Sequence, residues 1–437
     1  MTGRPEAGAI AELRERLDRG LTTAVGEVSR IRTEPDRLGC IEAYVPRAVE
    51  LAAASDERRR AGAPLGPLEG IPFAVKANID VAGVPTTSGL VGSGAKIAQR
   101  DAAVVAQLIA AGAIPAAIAT MAPLAIGAVT RHPTIGTCRS PLDPDRHAGG
   151  SSGGSGAAVG AGIVPFALGS DTMGSVRIPA AYCGVAAWLP THTALSATGL
   201  TPLQSDLDNV GVIAATAADL DRVAAVLVGQ GDRTARSVDA LTRVRQCDLT
   251  PRADDAARAA CEIATSTLLG IGLDSGPTLT TDIDPAVLRR QGLILVEVQA
   301  AQTFAAQLAA GVIPDEIASL LRYGQGVTEQ RVTAAHAALR DFAARIAADL
   351  RPGDVVVLPT TPAEAPHVSE DPAGAADLTA WVNAAGLPAV AVPVAGRSVQ
   401  LVASAGDDER LLALAADLAA QVPKAGGLRS RNADTPS

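Results

Sequence analysis

Seven consecutive residues, Gly149–Ser155, are all glycine or serine. Such a run lets backbone approach backbone or a ligand closely, and it places several hydroxyl groups within a short reach. A helix-compatible segment, GAAVGAGI, and a strand-like segment, VPFALG, follow directly. A flexible linker is also rich in Gly and Ser, but it is not followed at once by apolar chain. The run is therefore interpreted as a loop held against a buried core.

A second loop rich in small residues, Gly169–Ser175, follows the strand-like segment. Successive backbone amides in a loop of this kind are able to converge as a nest that binds an oxyanion. The sequence therefore offers hydroxyls in one loop and candidate anion-binding amides in another.

Two common motifs overlap the first loop. Residues 149–153 match the G-x-S-x-G nucleophile elbow, but that elbow needs a strand immediately before it, and DPDRHA is not one. Gly154, Gly156 and Gly160 resemble a loose dinucleotide fingerprint, which also needs a preceding strand. Small residues there are equally suited to close helix packing, so neither motif predicts a function.

The whole chain alternates strand-like and helix-like segments, which predicts an α/β fold built as a single α/β/α layered domain. The predicted organisation is a helical segment over residues 1–64, the main domain over 65–425 and a polar tail over 426–437. Only 2% of the 437 residues are aromatic, so small aliphatic side chains must fill the core. Residues from Thr216 to Gly292 are expected to be peripheral amphipathic helices.

Charge and cysteine usage exclude several classes of protein. The net charge is −9 and there is no long basic run, which argues against direct nucleic-acid binding. The five cysteines lack CxxC spacing and are expected to be reduced thiols in a cytosolic protein. No H-E-x-x-H motif or carboxylate-rich cluster is present, so we expect no metal and no cofactor.

Membrane insertion is also disfavoured, and a cytoplasmic location is expected. The N-terminal residues carry charges where a signal peptide needs an apolar stretch. Ala102–Thr130 is uncharged and long enough to cross a bilayer, but Gln107, Pro115 and Pro123 interrupt it. A buried helix over Ala102–Ala111 and a buried strand near Ala113–Ala119 are the better interpretation.

Five separated segments, in order, resemble the amidase signature family. They are GPLEGIPFAVKANIDVAGVPTTSG, GGSSGGS, GSDTMGSVRIPAAYCGV, VVVLPTTPAEAP and GLPAVAVP. The resemblance covers roughly residues 65–215 and returns between about 355 and 420. It implies a large mixed β-sheet covered by helices and an amide-hydrolysing activity on a small-molecule substrate.

The resemblance also implies a Ser-Ser-Lys triad. Ser175 corresponds to the nucleophile that forms an acyl-enzyme, and Lys76 to the general base. Ser151 corresponds to the serine that bridges them and that has a cis peptide bond in this family. The remaining implied residues are the oxyanion-hole amides of Thr172, Met173, Gly174 and Ser175, and the loop-supporting side chains of Ser152, Asp171 and Arg177.

Lys76 is chemically suited to this role if it is buried. Lowering a lysine pKa from about 10.4 to about 7 costs about 4.6 kcal/mol, which is within the range that burial produces. Phe73, Ala74 and Val75 are apolar, and Ala77 brings no carboxylate that would keep the lysine charged. Without the surrounding motifs, a surface lysine in a salt bridge would be the better interpretation.

A histidine triad is the rival mechanism. His147 is two residues before the Gly/Ser run, whereas none of the histidines stands in a recognisable Ser-His-Asp context. The candidates are His132, His147, His192, His336 and His367.

Several positions depart from the family pattern. Met173 stands where the family usually has glycine, so it is expected to be strained if its φ is positive and to block part of the pocket. Ala77 replaces the usual acidic residue, and 117–120 and 189–191 also differ. These departures predict an atypical substrate or reduced activity.

The predicted function is hydrolysis of a small linear amide with release of ammonia or an amine. NIDVAGVPTT is similar to allophanate hydrolases, which would imply a urea-like carboxylated substrate. The A subunit of a glutamyl-tRNA amidotransferase and a catalytically dead binding protein are further alternatives, and a homodimer is left open. Pocket residues are expected in Met121–Thr130, at Trp188 and in Arg322–Val327.

Overall fold

The computed structural model describes residues 8–90, 92, 95–229, 241–372 and 374–422. The predicted polar tail, 426–437, lies outside this part of the chain. The strands are β1 (Ile41–Tyr44), β2 (Pro72–Lys76), β3 (Ile114–Ala119), β4 (Arg131–His132), β5 (Gly136–Thr137), β6 (Phe166–Asp171), β7 (Ala186–Leu189), β8 (Asn209–Ala214), β9 (Arg243–Gln246), β10 (Asp274–Ser275), β11 (Asp354–Pro359), β12 (Ala389–Val394) and β13 (Arg397–Ala403). The helices are α1 (Ala9–Asp18), α2 (Ala24–Thr33), α3 (Ala48–Arg60), α4 (Ala103–Ala110), α5 (Gly153–Gly160), α6 (Arg177–Cys183), α7 (Ala217–Leu227), α8 (Asp255–Gly270), α9 (Pro285–Thr303), α10 (Ala305–Ala309), α11 (Asp315–Gln325), α12 (Glu329–Asp349), α13 (Ala380–Ala384) and α14 (Asp408–Gln421).

Among the described residues, 11 strands form one mixed sheet in the order β1-β3-β2-β6-β8-β7-β12-β13-β11-β9-β10. β2 is parallel to both β3 and β6, whereas the centre from β6 to β11 is antiparallel. Helices pack against the sheet, with α5 on β6, α8 on β11 and α14 on β12. The predicted α/β fold with a large mixed sheet covered by helices is confirmed.

The central strands are buried along their whole length, as β2, β6, β8 and β11 illustrate. Strands covered on both faces read as continuous apolar runs instead of alternating ones. Most of these core side chains are Ala, Val, Leu and Ile, as the low aromatic content requires.

The segment 9–28 differs from the single opening helix that its apolar spacing predicts. The chain forms α1 and α2 instead, because Gly20 adopts a φ of 65° and the Thr23 side chain accepts a hydrogen bond from Gly26 N to begin the second helix. β1, also within 1–64, pairs with β3 at the edge of the main sheet. The boundary between residues 64 and 65 stays a prediction.

The uncharged stretch from Ala102 to Thr130 folds as predicted, with helix α4 followed by the buried strand β3. In the described ranges, no helix has both the length and the apolar character that crossing a bilayer requires.

The segment from Thr216 to Gly292 is less peripheral than predicted. Its strand β9 pairs in parallel with β11 and extends the sheet. Helix α9, whose first half falls in this segment, reaches the cavity described below. Neither feature leaves a local signal in the sequence, because both depend on contacts between segments that are distant along the chain.

Candidate active site

The site lies at the carboxyl ends of β2 and β6, two neighbouring parallel strands. Lys76 is the last residue of β2 and Asp171 the last of β6. In sheets with parallel strands, ligand sites form beyond the carboxyl ends of those strands. The two loops predicted from the sequence, Gly149–Ser155 and Gly169–Ser175, meet at this edge.

Lys76 is completely buried, and its amine contacts neutral oxygen atoms. Its Nζ donates hydrogen bonds to Ser151 Oγ and to Ser170 Oγ, each at 2.8 Å, and lies 3.4 Å from the Ser170 carbonyl oxygen. Burial lowers the pKa of Lys76 to about 7, although Asp171 and Asp208 act in the opposite direction. No carboxylate of the described residues forms a salt bridge with this amine.

Ser151 and Ser152 are also completely buried. The peptide bond between Gly150 and Ser151 is cis, as the resemblance implies. Ser152 Oγ donates to the Ser170 carbonyl at 3.2 Å, and Ser152 N donates to the Ser175 carbonyl at 3.2 Å. Ser152 thus joins the Gly/Ser loop to the loop that carries Ser175.

Ser175 differs from the two buried serines because it is only partly buried and lines a cavity. Its hydroxyl makes no hydrogen bond with any residue that the structure describes, and that includes Ser151. Of the predicted triad contacts, the Lys76–Ser151 hydrogen bond is formed. Ser175 is joined to Ser152, the residue after Ser151, through its carbonyl oxygen, and its hydroxyl is unengaged among the described residues.

Of the four amides predicted to form an oxyanion hole, that of Gly174 has another partner. Gly174 N donates a hydrogen bond to Asp171 Oδ1 at 2.6 Å. Because this amide already has a partner, we remove it from the predicted oxyanion hole. The amides of Thr172, Met173 and Ser175 donate no hydrogen bond within the described chain. The sequence does not reveal this division because it depends on where the Asp171 carboxylate points.

Asp171 and Arg177 form a fully buried ion pair beneath the second loop. Arg177 donates from Nε and Nη2 to the two carboxylate oxygens, both at 3.1 Å, and from Nη1 to Gln400 Oε1 at 3.0 Å. Asn383 Nδ2 donates to Asp171 Oδ1 at 2.9 Å. Burial alone would raise the pKa of Asp171, but Arg177 and these hydrogen bonds hold it below its ordinary value.

The strain expected at Met173 is absent, because the positive φ of this loop falls on Gly174, at 120°. A side chain at Gly174 would collide with Thr379, whose Oγ1 lies well inside contact distance of an ideal Cβ position. The same Oγ1 donates to the Met173 carbonyl oxygen at 2.7 Å. The backbone at 173–174 is therefore fixed by Thr379.

The cavity beside Ser175 has a volume of about 430 Å³. Its lining includes Ala125–Val129, which confirms part of the predicted segment Met121–Thr130. No local pattern in the sequence signalled the contributions of α9, of Glu316 on α11, or of the loop around Asp371.

Two predicted pocket positions are wrong. Trp188 is fully buried in β7, where its Nε1 donates to Asp408 Oδ1 at 3.2 Å. Residues Arg322–Val327 do not line the cavity, because the part of α11 that reaches it is the first turn, at Glu316. Local sequence does not show which side chains of a strand, or which end of a helix, face the site.

Two residues that sequence reasoning missed contact the lysine cluster. Ser170 Oγ accepts hydrogen bonds from Lys76 Nζ and, at 3.0 Å, from Asn78 Nδ2. Asn78 is two residues beyond Lys76, and Ser170 directly precedes Asp171. Both residues lie within the segments that carry the family resemblance, and this position was the signal that could have identified them.

None of the described histidines lines this cavity. His147 is buried beside Arg131, and His132 lies 3.6 Å from Glu42. Burial lowers the pKa of both imidazoles. All five cysteines are buried free thiols, and within the described ranges no group of three or more His, Cys, Asp or Glu is arranged to hold a metal ion.

A family model described as Amidase matches residues 27–253. The chain belongs to the amidase signature family. Its members are amide hydrolases, and this assignment agrees with the lysine and serine arrangement described above.

Relatives and solved structures agree with that membership. The A subunit of the glutamyl-tRNA(Gln) amidotransferase from Deinococcus radiodurans is 35% identical over 433 residues, covering 85% of this chain and 88% of that protein. An indoleacetamide hydrolase from Pseudomonas syringae pv. syringae is 45% identical over 163 residues, 37% of this chain and 36% of that protein. A crystal structure of an amidase superposes with a TM-score of 0.84 and 27% identity, covering 95% of this chain and 100% of that one.

The extent of these alignments varies. The corresponding amidotransferase protein from Chloroflexus aurantiacus is 42% identical over 205 residues, and the chain spans only 42% of that relative's length.

Proposed function

We propose that this protein hydrolyses a small amide through an acyl-enzyme on Ser175, with Lys76 as the general base and Ser151 as the proton relay. One observation carries the proposal. The Lys76 amine is completely buried, has no carboxylate partner in the described chain, and lies 2.8 Å from the Ser151 hydroxyl. A lysine with a pKa of about 7 is about half deprotonated at neutral pH, so a substantial fraction is available as a base.

In the acylation step, neutral Lys76 takes the proton of Ser151, and Ser151 takes the proton of Ser175. Ser175 Oγ attacks the amide carbon, and the carbonyl oxygen becomes an oxyanion. As the tetrahedral intermediate collapses, the relay returns the proton to the departing nitrogen, which leaves as ammonia or an amine. Water then attacks the ester by the same relay and releases a carboxylic acid.

The unengaged amides of Thr172, Met173 and Ser175 are the donors proposed for the oxyanion. Preorganised amides are effective because they need no reorganisation as charge develops, and losing one such donor commonly slows an enzyme by about 10²–10³-fold. The Asp171–Arg177 pair supports them by holding Gly174 N and Val176 N, at 2.6 and 3.1 Å from the carboxylate. These are positioning residues.

The experiment is ammonia release from a panel of arylamides, aliphatic amides, urea derivatives and glutamine, combined with fluorophosphonate labelling. Ser175→Ala is expected to lose both turnover and labelling. Ser29→Ala is a matched control, because Ser29 is exposed on α2. Full turnover in Ser175→Ala would overturn the proposal, and an unlabelled wild type would favour a binding protein without catalytic activity.

A second candidate function is that of the A subunit of an amidotransferase. The Deinococcus radiodurans relative favours it, because the alignment covers most of both chains. A protein of this kind is expected to hydrolyse glutamine efficiently only with stoichiometric partners. Activity of the purified chain alone on other amides would argue for the first proposal. Homodimerisation stays a prediction, which the same purification would test.

A further inference from the structure

Gly292 is an unusual residue for its position in the middle of the 19-residue helix α9. Glycine in a helix interior is less stable than alanine, so a spatial reason is expected for its presence. An ideal Cβ at Gly292 would lie 3.0 Å from Met173 Sδ and 3.6 Å from Leu207 Cδ1. The space that a side chain would occupy is therefore filled by the end of Met173.

Met173 reaches α9 from the loop that carries Ser175. Its backbone is fixed, because Thr379 binds its carbonyl oxygen and leaves no room beside Gly174. The side chain must therefore adjust through its own torsion angles. Since Met173 also lines the cavity, its thioether forms a wall between the proposed nucleophile and the helix.

The chemical character of the cavity changes with depth. Ile178, Leu203 and Val296 line it and are buried, which gives an apolar floor. Glu316 and Asp371 are exposed and lie at the mouth. Arg289 is partly buried, also lines the cavity, and forms an ion pair with Asp377. A group attached to the reacting carbonyl is therefore expected to meet mainly the apolar floor, because the charges of the lining are exposed or paired.

We infer that Met173, seated on Gly292, sets the size of the acyl group that the site accepts, and that the substrates are amides of slender, apolar carboxylic acids. This inference rests on the proposed function. With a primary amide the leaving group is ammonia, so the acyl group is the only substrate part that must fit the cavity.

Substitutions at the two positions are expected to act in opposite directions. Met173→Ala removes the wall and enlarges the cavity towards α9. Gly292→Ala places a methyl group within contact of the Met173 sulfur and pushes the thioether into the cavity. In the double variant the methyl group meets no thioether, so the effect of Gly292→Ala is expected to disappear.

The experiment is ammonia release from straight-chain primary amides, from acetamide to octanamide, together with a branched and an aryl amide. Because the leaving group is constant, kcat/KM reports the fit of the acyl group. Met173→Ala is expected to raise the ratio for octanamide over propionamide by about tenfold or more, the scale at which pocket contacts discriminate one or more methylenes. Gly292→Ala is expected to lower the same ratio.

Gly270→Ala is the matched control, because Gly270 ends helix α8 and a Cβ there would meet nothing within 4 Å. An unchanged chain-length profile in a Met173→Ala enzyme that is still labelled at Ser175 would overturn the inference and leave the proposed function intact. Loss of labelling and turnover in the wild type would instead overturn the proposed function. If Met173→Ala does not fold, Met173→Val provides the same comparison.

Discussion

Lys76 and Arg177 are two completely buried cations at the same edge of the sheet, and their surroundings differ in one respect. Arg177 faces the Asp171 carboxylate and two further acceptors, Gln400 and Asn383. Lys76 faces hydroxyl groups and a carbonyl oxygen. A buried charge is tolerated when it is paired and hydrogen-bonded, whereas an unpaired one is disfavoured.

This difference separates a structural role from a proposed chemical one. Arginine stays protonated under all relevant conditions and holds the loop backbone through Asp171. Lysine releases its proton when burial is not compensated by a partner, and its pKa here is lowered to about 7. The same degree of burial therefore gives a permanent ion pair at one position and a base at the other.

The largest expected effect is on turnover in Lys76→Met. This variant keeps the length and apolar stem of the side chain but has no amine to accept a proton. We expect kcat/KM to fall by at least about 10³-fold, because triad members act as a unit. Ammonia-release assays measure this loss, and circular dichroism checks the fold. Substantial turnover in Lys76→Met would mean that a group other than Lys76 accepts the proton of Ser151.

Breaking the buried ion pair is expected to affect stability more than chemistry. Arg177→Met leaves the Asp171 carboxylate buried without its cation, which typically destabilises a protein by about 3–5 kcal/mol. Denaturant unfolding measures the change. The double variant Arg177→Met with Asp171→Asn removes both charges and is expected to recover part of the loss. An equal loss of unfolding free energy in the single and double variants would show that the unpaired charge does not cause the destabilisation.

The pH dependence distinguishes the two cations further. Activity is expected to increase about tenfold per pH unit below pH 7 and to level off above it, as Lys76 loses its proton. Between pH 7 and 10.5 the unfolded chain binds more protons at this lysine than the folded chain, so stability is expected to rise with pH. Lys76→Met should lack that rise. Denaturant midpoints of unfolding, measured across this pH range, test the direction of the change in stability. A midpoint that falls with pH in the wild type but not in Lys76→Met would contradict the prediction.

The smallest effect concerns Ser170, which accepts a hydrogen bond from Lys76 and another from Asn78. A hydrogen bond from a charged donor is worth roughly 1 kcal/mol more than one from a neutral donor, so losing this acceptor favours the neutral amine. Ser170→Ala is expected to shift the pH–rate profile down by roughly one pH unit. Ser155→Ala, which removes a buried hydroxyl bonded to the Leu168 carbonyl, is the control. A profile that moves equally in both variants would exclude a specific role for Ser170.

The sequence by itself identified the local parts of the protein. The motifs around Lys76, Ser151 and Ser175 predicted the family, and the apolar runs predicted β2, β3, β6, β11 and β12 because buried strands need continuous hydrophobic sequence. It also predicted a buried helix followed by a buried strand in the uncharged stretch 102–130, which α4 and β3 confirm.

Only the tertiary structure decided what these parts contact. The Gly174 amide donates to Asp171, Trp188 is buried in the sheet core, and Gly292 lies against Met173 although helix α9 comes from a distant part of the chain. The physical reason is that burial and hydrogen-bond partners at the site depend on contacts between distant segments. Propensity and spacing describe neighbours along the chain, whereas the Lys76 pKa and the shape of the cavity depend on neighbours in space.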